Sequence, residues 1–174
     1  MFFKNIKKIN ITEFNFLKKG YKYKSFPDNI NIKNLPIYVP LVKYGKVIKV
    51  YDGDSITIAA RIENINDSQI YKFNLRLNRI DTPELRTKNE KEKEYGLKIR
   101  EILKERILNK IVKVHFEGLD KYGRYLADVI YENENINDWL LYNKYAMMYN
   151  GGKKLTFNEN QFNPLLEEME NIEL

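Results

Sequence analysis

Acids and arginines crowd one stretch of this chain. Asp52-Gly53-Asp54-Ser55 is followed by Arg76-Leu77-Asn78-Arg79-Ile80-Asp81-Thr82-Pro83-Glu84, and Asp120-Lys121-Tyr122-Gly123-Arg124 echoes it further on. Asp54, Asp81 and Glu84 offer carboxylate oxygens; Arg76 and Arg124 offer rigid guanidinium forks. As a phosphodiester is attacked, negative charge builds on its phosphoryl oxygens, and two forks beside a bound cation answer that charge. The sequence holds one histidine and no cysteine, so a metal at this place is held by oxygen. Oxygen ligands select a hard cation such as Ca²⁺ or Mg²⁺.

The roles divide by residue type. Asp54 and Asp81 can share a cation if the two strand ends that carry them meet, with the Thr82 carbonyl as a third oxygen ligand. Glu84 is the candidate general base, placed to position and deprotonate a water. Taken singly, each has an ordinary reading: acids in Asp-Gly and Asp-Thr-Pro are turn formers, Arg76 is a solvated strand residue, and Arg124 is a charge at a hairpin end.

These residues need strand ends to hold them. Val47–Tyr51 reads as a strand and Asp52-Gly53 signals a hairpin. A second strand follows with Asp54, Ile56, Ile58 and Ala60 on one face, which sets Asp54 at the mouth pointing inward. A third is expected over about Ile70–Ile80, with Phe73, Leu75 and Leu77 on its apolar face, and Thr82-Pro83 ends it. Ile99, Ile102, Leu103 and Ile107 recur at helical spacing, predicting a helix over about Glu92–Leu108. Strands at Lys110–Phe116 and Arg124–Tyr131 come next, with His115 facing out as a surface residue. A short helix at Asn135–Lys144 carries Trp139 as a core residue. Asn163-Pro164 opens a last helix, with Asn as cap and Pro at its first position. Five short strands with a helix after the third predict an α+β, mainly β fold: a five-stranded Greek-key barrel of OB type with about three helices packed on it.

With these motifs in order, the chain resembles the staphylococcal nuclease (thermonuclease) family over roughly Tyr44–Gly152. The resemblance rests on Asp52-Gly53-Asp54-Ser55, on Arg76 before Asp81-Thr82-Pro83-Glu84, on Glu94-Tyr95-Gly96 at the first helix, on Asp120–Arg124, and on Asn137. It implies an OB-type barrel and a Ca²⁺-dependent phosphodiesterase that cleaves DNA and RNA at the 5′ P–O bond, leaving 3′-phosphate ends. It assigns Asp54, Asp81 and the Thr82 carbonyl to Ca²⁺, Glu84 to the base, and Arg76 and Arg124 to the scissile phosphate. Lys121 and Tyr122 take the nucleotide's terminal phosphate. Tyr149 takes the place of a base-stacking tyrosine with a one-residue shift. The alternative function is a non-catalytic nucleic-acid or protein-binding module on the same barrel.

Arg79 departs from the pattern, standing where the family has an apolar strand residue. Strict alternation sends it toward the core face, so it is expected at the barrel rim, paired with an acid or reaching substrate. The charge is also uneven. Residues 1–43 hold nine Lys against Glu13 and Asp28, giving +7 of the net +6, so the rest of the chain sums to −1. Two regions are therefore read: a basic arm over 1–43, suited to contact with an anionic surface, and a catalytic domain over 44–174. No apolar run reaches the length of an export signal or a membrane span, which favours an intracellular setting, viral or host-cytoplasmic. No stable protein partner is implied, and a monomer is expected.

Overall fold

The computed structural model describes residues 29–64, 69–152 and 156–169. The lysine-rich part of the arm, from Lys4 to Lys24, lies outside them. The chain divides into two compact units, Met1–Pro36 and Ile37–Leu174. In the first, the described residues form a single 3-10 turn at Ile32–Asn34, where the Asn31 side chain accepts from the Lys33 amide at 3.0 Å.

The second unit is a barrel with helices on it. Its strands are β1 (Tyr44–Val50), β2 (Ser55–Ala60), β3 (Tyr71–Leu77), β4 (Ile80–Asp81), β5 (Ile111–Leu119), β6 (Tyr125–Tyr131), β7 (Glu134–Asn135) and β8 (Met147–Met148). Its helices are α1 (Glu90–Ile107), α2 (Ile136–Tyr142) and the one-turn α3 (Leu165–Glu168). The main sheet runs β3-β2-β1-β5-β6-β7, and a parallel β3–β6 pairing closes the first five strands into a barrel. Closure leaves no long free edge among those strands. The expected five-stranded OB-type architecture is the one observed.

The apolar positions explain the closure. Val47, Ile58, Leu75, Leu77, Val112, Ala127 and Val129 are all fully buried, and Ile99, Leu103 and Ile107 of α1 pack onto them. Each of these valine, leucine and isoleucine side chains contributes roughly 1.5–3 kcal/mol on burial. Asn89 caps α1 by accepting from the amides of Lys91 and Glu92, and Asn135 caps α2 in the same way. Trp139 sits at the edge of this core, half-buried, with its ring 5.6 Å from that of Tyr145 and under the Arg106 guanidinium. Asn163 accepts from the Leu165 amide at 3.0 Å, and Pro164, expected as the first helical residue, stands one place earlier, at the N-cap of α3.

One expectation fails instructively. The third strand does not run unbroken to Ile80. It stops at Leu77, turns through Asn78-Arg79 with Arg79 at φ 63°, and resumes as β4, which pairs with β8. The turn cancels the alternation that would have sent Arg79 toward the core. Its side chain, 45% exposed, instead pairs with Asp128 at 3.0 Å. Asn137, 1% exposed, braces this turn by donating to the carbonyls of Asn78 and Ala127 and to Asp128 Oδ1.

Candidate active site

The site forms where the β1–β2 turn, the end of β3 and the loop after β4 meet. Tyr51 N donates to Ser55 O at 2.8 Å, which closes the Asp52-Gly53 hairpin. Gly53 is needed for closeness: a Cβ there would lie 2.7 Å from Ile99 Cγ2 and 2.9 Å from Thr82. The turn thus presses directly on α1 and on Thr82. Gly96 plays the same part on the helix, since a Cβ there would lie 2.8 Å from the Pro83 carbonyl oxygen. Glu92 of α1 then ties down the loop, accepting from Glu84 N at 3.2 Å and from Thr87 Oγ1 at 2.8 Å.

Register does the rest. Ser55 pairs with Arg76 across β2 and β3, and Leu77 N donates to Asp54 O at 2.7 Å. The Arg76 guanidinium therefore reaches both acids: Nη1 donates to Asp54 Oδ2, and Nη2 donates to Asp81 Oδ1 at 3.0 Å and to Ile80 O at 3.1 Å. Asp54 and Asp81 are each 5% exposed and Thr82 is 4% exposed. Burial pulls the Arg76 pKa down, but the adjoining Asp54 and Asp81 carboxylates outweigh it and hold the guanidinium above its ordinary value. Next to this pair, burial and the charge of Asp54 push the Asp52 carboxyl up to about 7.

Arg124 joins from the β5–β6 hairpin. Its Nη1 donates to Ser55 Oγ at 2.9 Å, and Ser55 Oγ donates to Asp54 Oδ1 at 2.9 Å. Asp120 holds the other side, accepting from Arg124 Nε at 2.6 Å and from the amides of Tyr122 and Arg124. A continuous chain of contacts therefore runs Arg124–Ser55–Asp54–Arg76–Asp81. Around it opens a cavity of about 1260 Å³ whose lining includes Glu84, Lys121, Tyr122, Arg79 and Tyr149.

The comparisons with known proteins bear on this geometry. Residues 74–171 match the family model described as Staphylococcal nuclease homologue, more than half of the chain. The chain belongs to this family. The family match begins inside β3, so Asp54 lies before it, and its place beside Arg76 is a finding of the structure. An uncharacterized protein of Methanocaldococcus jannaschii is 32% identical over 130 residues, 61% of this chain and 59% of the relative. A protein named uncharacterized endonuclease, of Haemophilus influenzae, is 32% identical over 53% of this chain and 44% of its own length. The thermonuclease of Staphylococcus hyicus is 33% identical over 55% of this chain and 53% of its own length. The chain thus spans about half the length of the curated relatives it matches.

The nuclease-family residues anticipated from sequence fall into four groups here. Asp54, Asp81 and Thr82 are buried together around the Arg76 fork, whose side chain is 13% exposed, and Arg124 is linked to them through Ser55. Glu84 is exposed on the rim of the cavity. Lys121 and Tyr122 stand outside on the hairpin, Tyr122 at 73% exposure, with Lys121 Nζ 5.0 Å and Arg124 Cζ 5.6 Å from the tyrosine ring. Tyr149 is carried in by β8: its amide donates to Arg79 O at 2.8 Å and its ring lies 5.9 Å from Arg76 Cζ. Sequence reasoning missed the linking role of Ser55, which no local pattern signals because its partner is 69 residues away. No helix among the described residues is long and apolar enough to cross a membrane.

Proposed function

We propose that the protein is a Ca²⁺-dependent phosphodiesterase hydrolysing DNA and RNA. The observation that carries this reading is the contact chain Arg124–Ser55–Asp54–Arg76–Asp81, which fixes two arginines and two acids around one cavity.

The donor set suits a hard cation: two buried carboxylates converge on one positive group, beside a buried threonine carbonyl. Among the described residues no three Asp, Glu, His or Cys side chains gather to hold a metal by themselves. Asp54 and Asp81 would therefore hold Ca²⁺ together with the Thr82 carbonyl and water, a mixed shell that this ion accepts. Bound there, it supplies positive charge next to the phosphoryl group. Arg76 and Arg124 donate to the phosphoryl oxygens as their negative charge grows. Glu84 takes the proton of a water whose oxygen bonds to phosphorus. The P–O5′ bond breaks, the 5′-oxygen leaves as a hydroxyl with a proton from solvent, and the 3′-phosphate stays with the other fragment. Lys121 and Tyr122 hold the terminal phosphate of the departing nucleotide, and Tyr149 stacks on its base.

The test is hydrolysis of single-stranded DNA and of RNA in Ca²⁺, in Mg²⁺ and in chelator, with analysis of the product ends. Cleavage of both polymers in Ca²⁺, with 3′-phosphate ends and none in chelator, supports the reading. Binding without cleavage under all conditions would instead establish a non-catalytic module on this barrel.

A further inference from the structure

The mouth of the cavity has a second aromatic side that this mechanism leaves unused. In β1 the ladder slips between Val47 and Lys49, so Val47 and Val50 are buried while Ile48 and Lys49 both stay outside. The extra residue reverses the alternation. In an unbroken strand Tyr51 would follow Val47 into the core. Here it emerges at the mouth with Lys49, its side chain 43% exposed and lining the cavity that holds Asp54 and Glu84. The hydrogen bond its backbone N–H donates to Ser55 O mounts it on the same turn that carries Asp54.

Two cations attend the ring. Lys49 Nζ lies 5.3 Å and Arg86 Cζ 5.9 Å from its centroid. Both lie over the ring near the outer limit of about 6 Å for cation–π attraction, so each is held weakly and a stacking base has only a weak contact to displace. Arg86 follows Glu84 by two residues, whereas Lys121 and Tyr122 precede Arg124 in the β5–β6 hairpin. Tyr51 thus marks the Glu84 side of the cavity and Tyr122 the Arg124 side.

We propose that Tyr51, flanked by Lys49 and Arg86, is a stacking platform for a nucleobase of single-stranded nucleic acid. The base belongs to the strand on the far side of the scissile phosphate from the nucleotide that Lys121 and Tyr122 hold. This rests on the phosphodiesterase reading of the same cavity. An exposed ring accepts any base by its π face, while Lys49 and Arg86 are spaced to follow the backbone phosphates. A paired base inside a duplex cannot reach the ring, so the platform favours unpaired strands.

The experiment compares the full chain with Tyr51→Ala and Tyr51→Phe, in chelator, by fluorescence anisotropy. The probes are a labelled oligothymidylate and an abasic oligomer of equal length and charge. Base stacking of ordinary strength predicts about ten-fold weaker binding of oligothymidylate by Tyr51→Ala. Tyr51→Phe should bind as the parent does, and the abasic oligomer should not distinguish the three proteins. Lys49→Ala and Arg86→Ala should each lower the slope of log affinity against log salt by about 0.7. Equal affinity of parent and Tyr51→Ala for oligothymidylate would overturn the proposal, and so would an equal loss on the abasic oligomer. If cleavage fails everywhere but Tyr51-dependent binding persists, the catalytic reading falls and the platform stands. If cleavage occurs but Tyr51→Ala binds normally, the platform alone falls.

Discussion

The two sides of the cavity are built on different principles. On the β3 side, Asp54 and Asp81 are buried, and the part-buried Arg76 fork is shared between these two carboxylates and a carbonyl. On the hairpin side, Lys121 and Tyr122 are exposed, and the hairpin is organised by a single carboxylate, Asp120. A buried ionic cluster has one arrangement, because misplacing any member leaves a charge uncompensated in a poor solvent for charge. An exposed lysine and tyrosine are free to follow a ligand. Bond breaking needs the first kind of precision and substrate grip needs only the second. Arg124 joins the two sides, with Asp120 on its hairpin flank and Ser55 on its buried flank.

The comparison breaks most readily at Arg76. Arg76→Met leaves two buried acids facing each other without their shared cation, which predicts a loss of about 3–5 kcal/mol in chelator. Ca²⁺ should restore part of that loss by substituting for the charge; chemical denaturation with and without Ca²⁺ reads both. A loss under about 1 kcal/mol would mean that Arg76 is not what holds Asp54 and Asp81 together.

Catalysis gives the next effect. Glu84→Gln and Arg124→Ala are each expected to lower kcat by on the order of 10²–10³, read by single-turnover cleavage of a single-stranded oligonucleotide. Asp54→Ala should weaken Ca²⁺ binding in calorimetry, and unchanged affinity would remove Asp54 from the cation site.

The hairpin responds to acid. Burial pushes the Asp120 carboxyl up, but the Arg124 amide and side chain and the Tyr122 amide pull it below its ordinary value of 3.8. A carboxylate lowered in the fold contributes stability that is present above the unfolded-state value and is lost as pH falls through the folded one. The hairpin amides should therefore lose hydrogen-exchange protection below about pH 4, ahead of the barrel amides, and Asp120→Asn should remove that pH dependence. Simultaneous loss in barrel and hairpin would show that the hairpin is not an independent unit. The smallest effect is at Tyr122, where truncation to Ala should raise KM several-fold and leave kcat within two-fold, about 1 kcal/mol of uniform binding.

Much of this arrangement was legible in the chain, and the failures are local. Alternation with turn signals was enough to expect the strands and the barrel, and the acids and arginines fell at strand ends where they could converge. Arg79 was expected at the rim beside an acid and is found there with Asp128, but the turn that puts it there was not foreseen, because alternation assumes an unbroken strand and a positive φ at an arginine has no signature in residue type. Tyr51 was absorbed into a strand for the same reason: the bulge at Ile48–Lys49 reverses its direction, and nothing in Val-Ile-Lys-Val-Tyr announces it. Ser55 drew no role of its own because its importance comes from Arg124, which only closure of β3 on β6 brings near. Pairwise contacts across a closed barrel are set by register, and register is the quantity a single sequence specifies least directly.

The most direct test of the central claim is a side-by-side measurement of kcat and KM for Glu84→Gln and Tyr122→Ala on one single-stranded DNA substrate in Ca²⁺. Glu84→Gln is predicted to lose at least about 10² in kcat, and Tyr122→Ala to change KM with kcat nearly intact. Equal and purely KM effects from both variants, or undiminished cleavage by Glu84→Gln, would contradict the account.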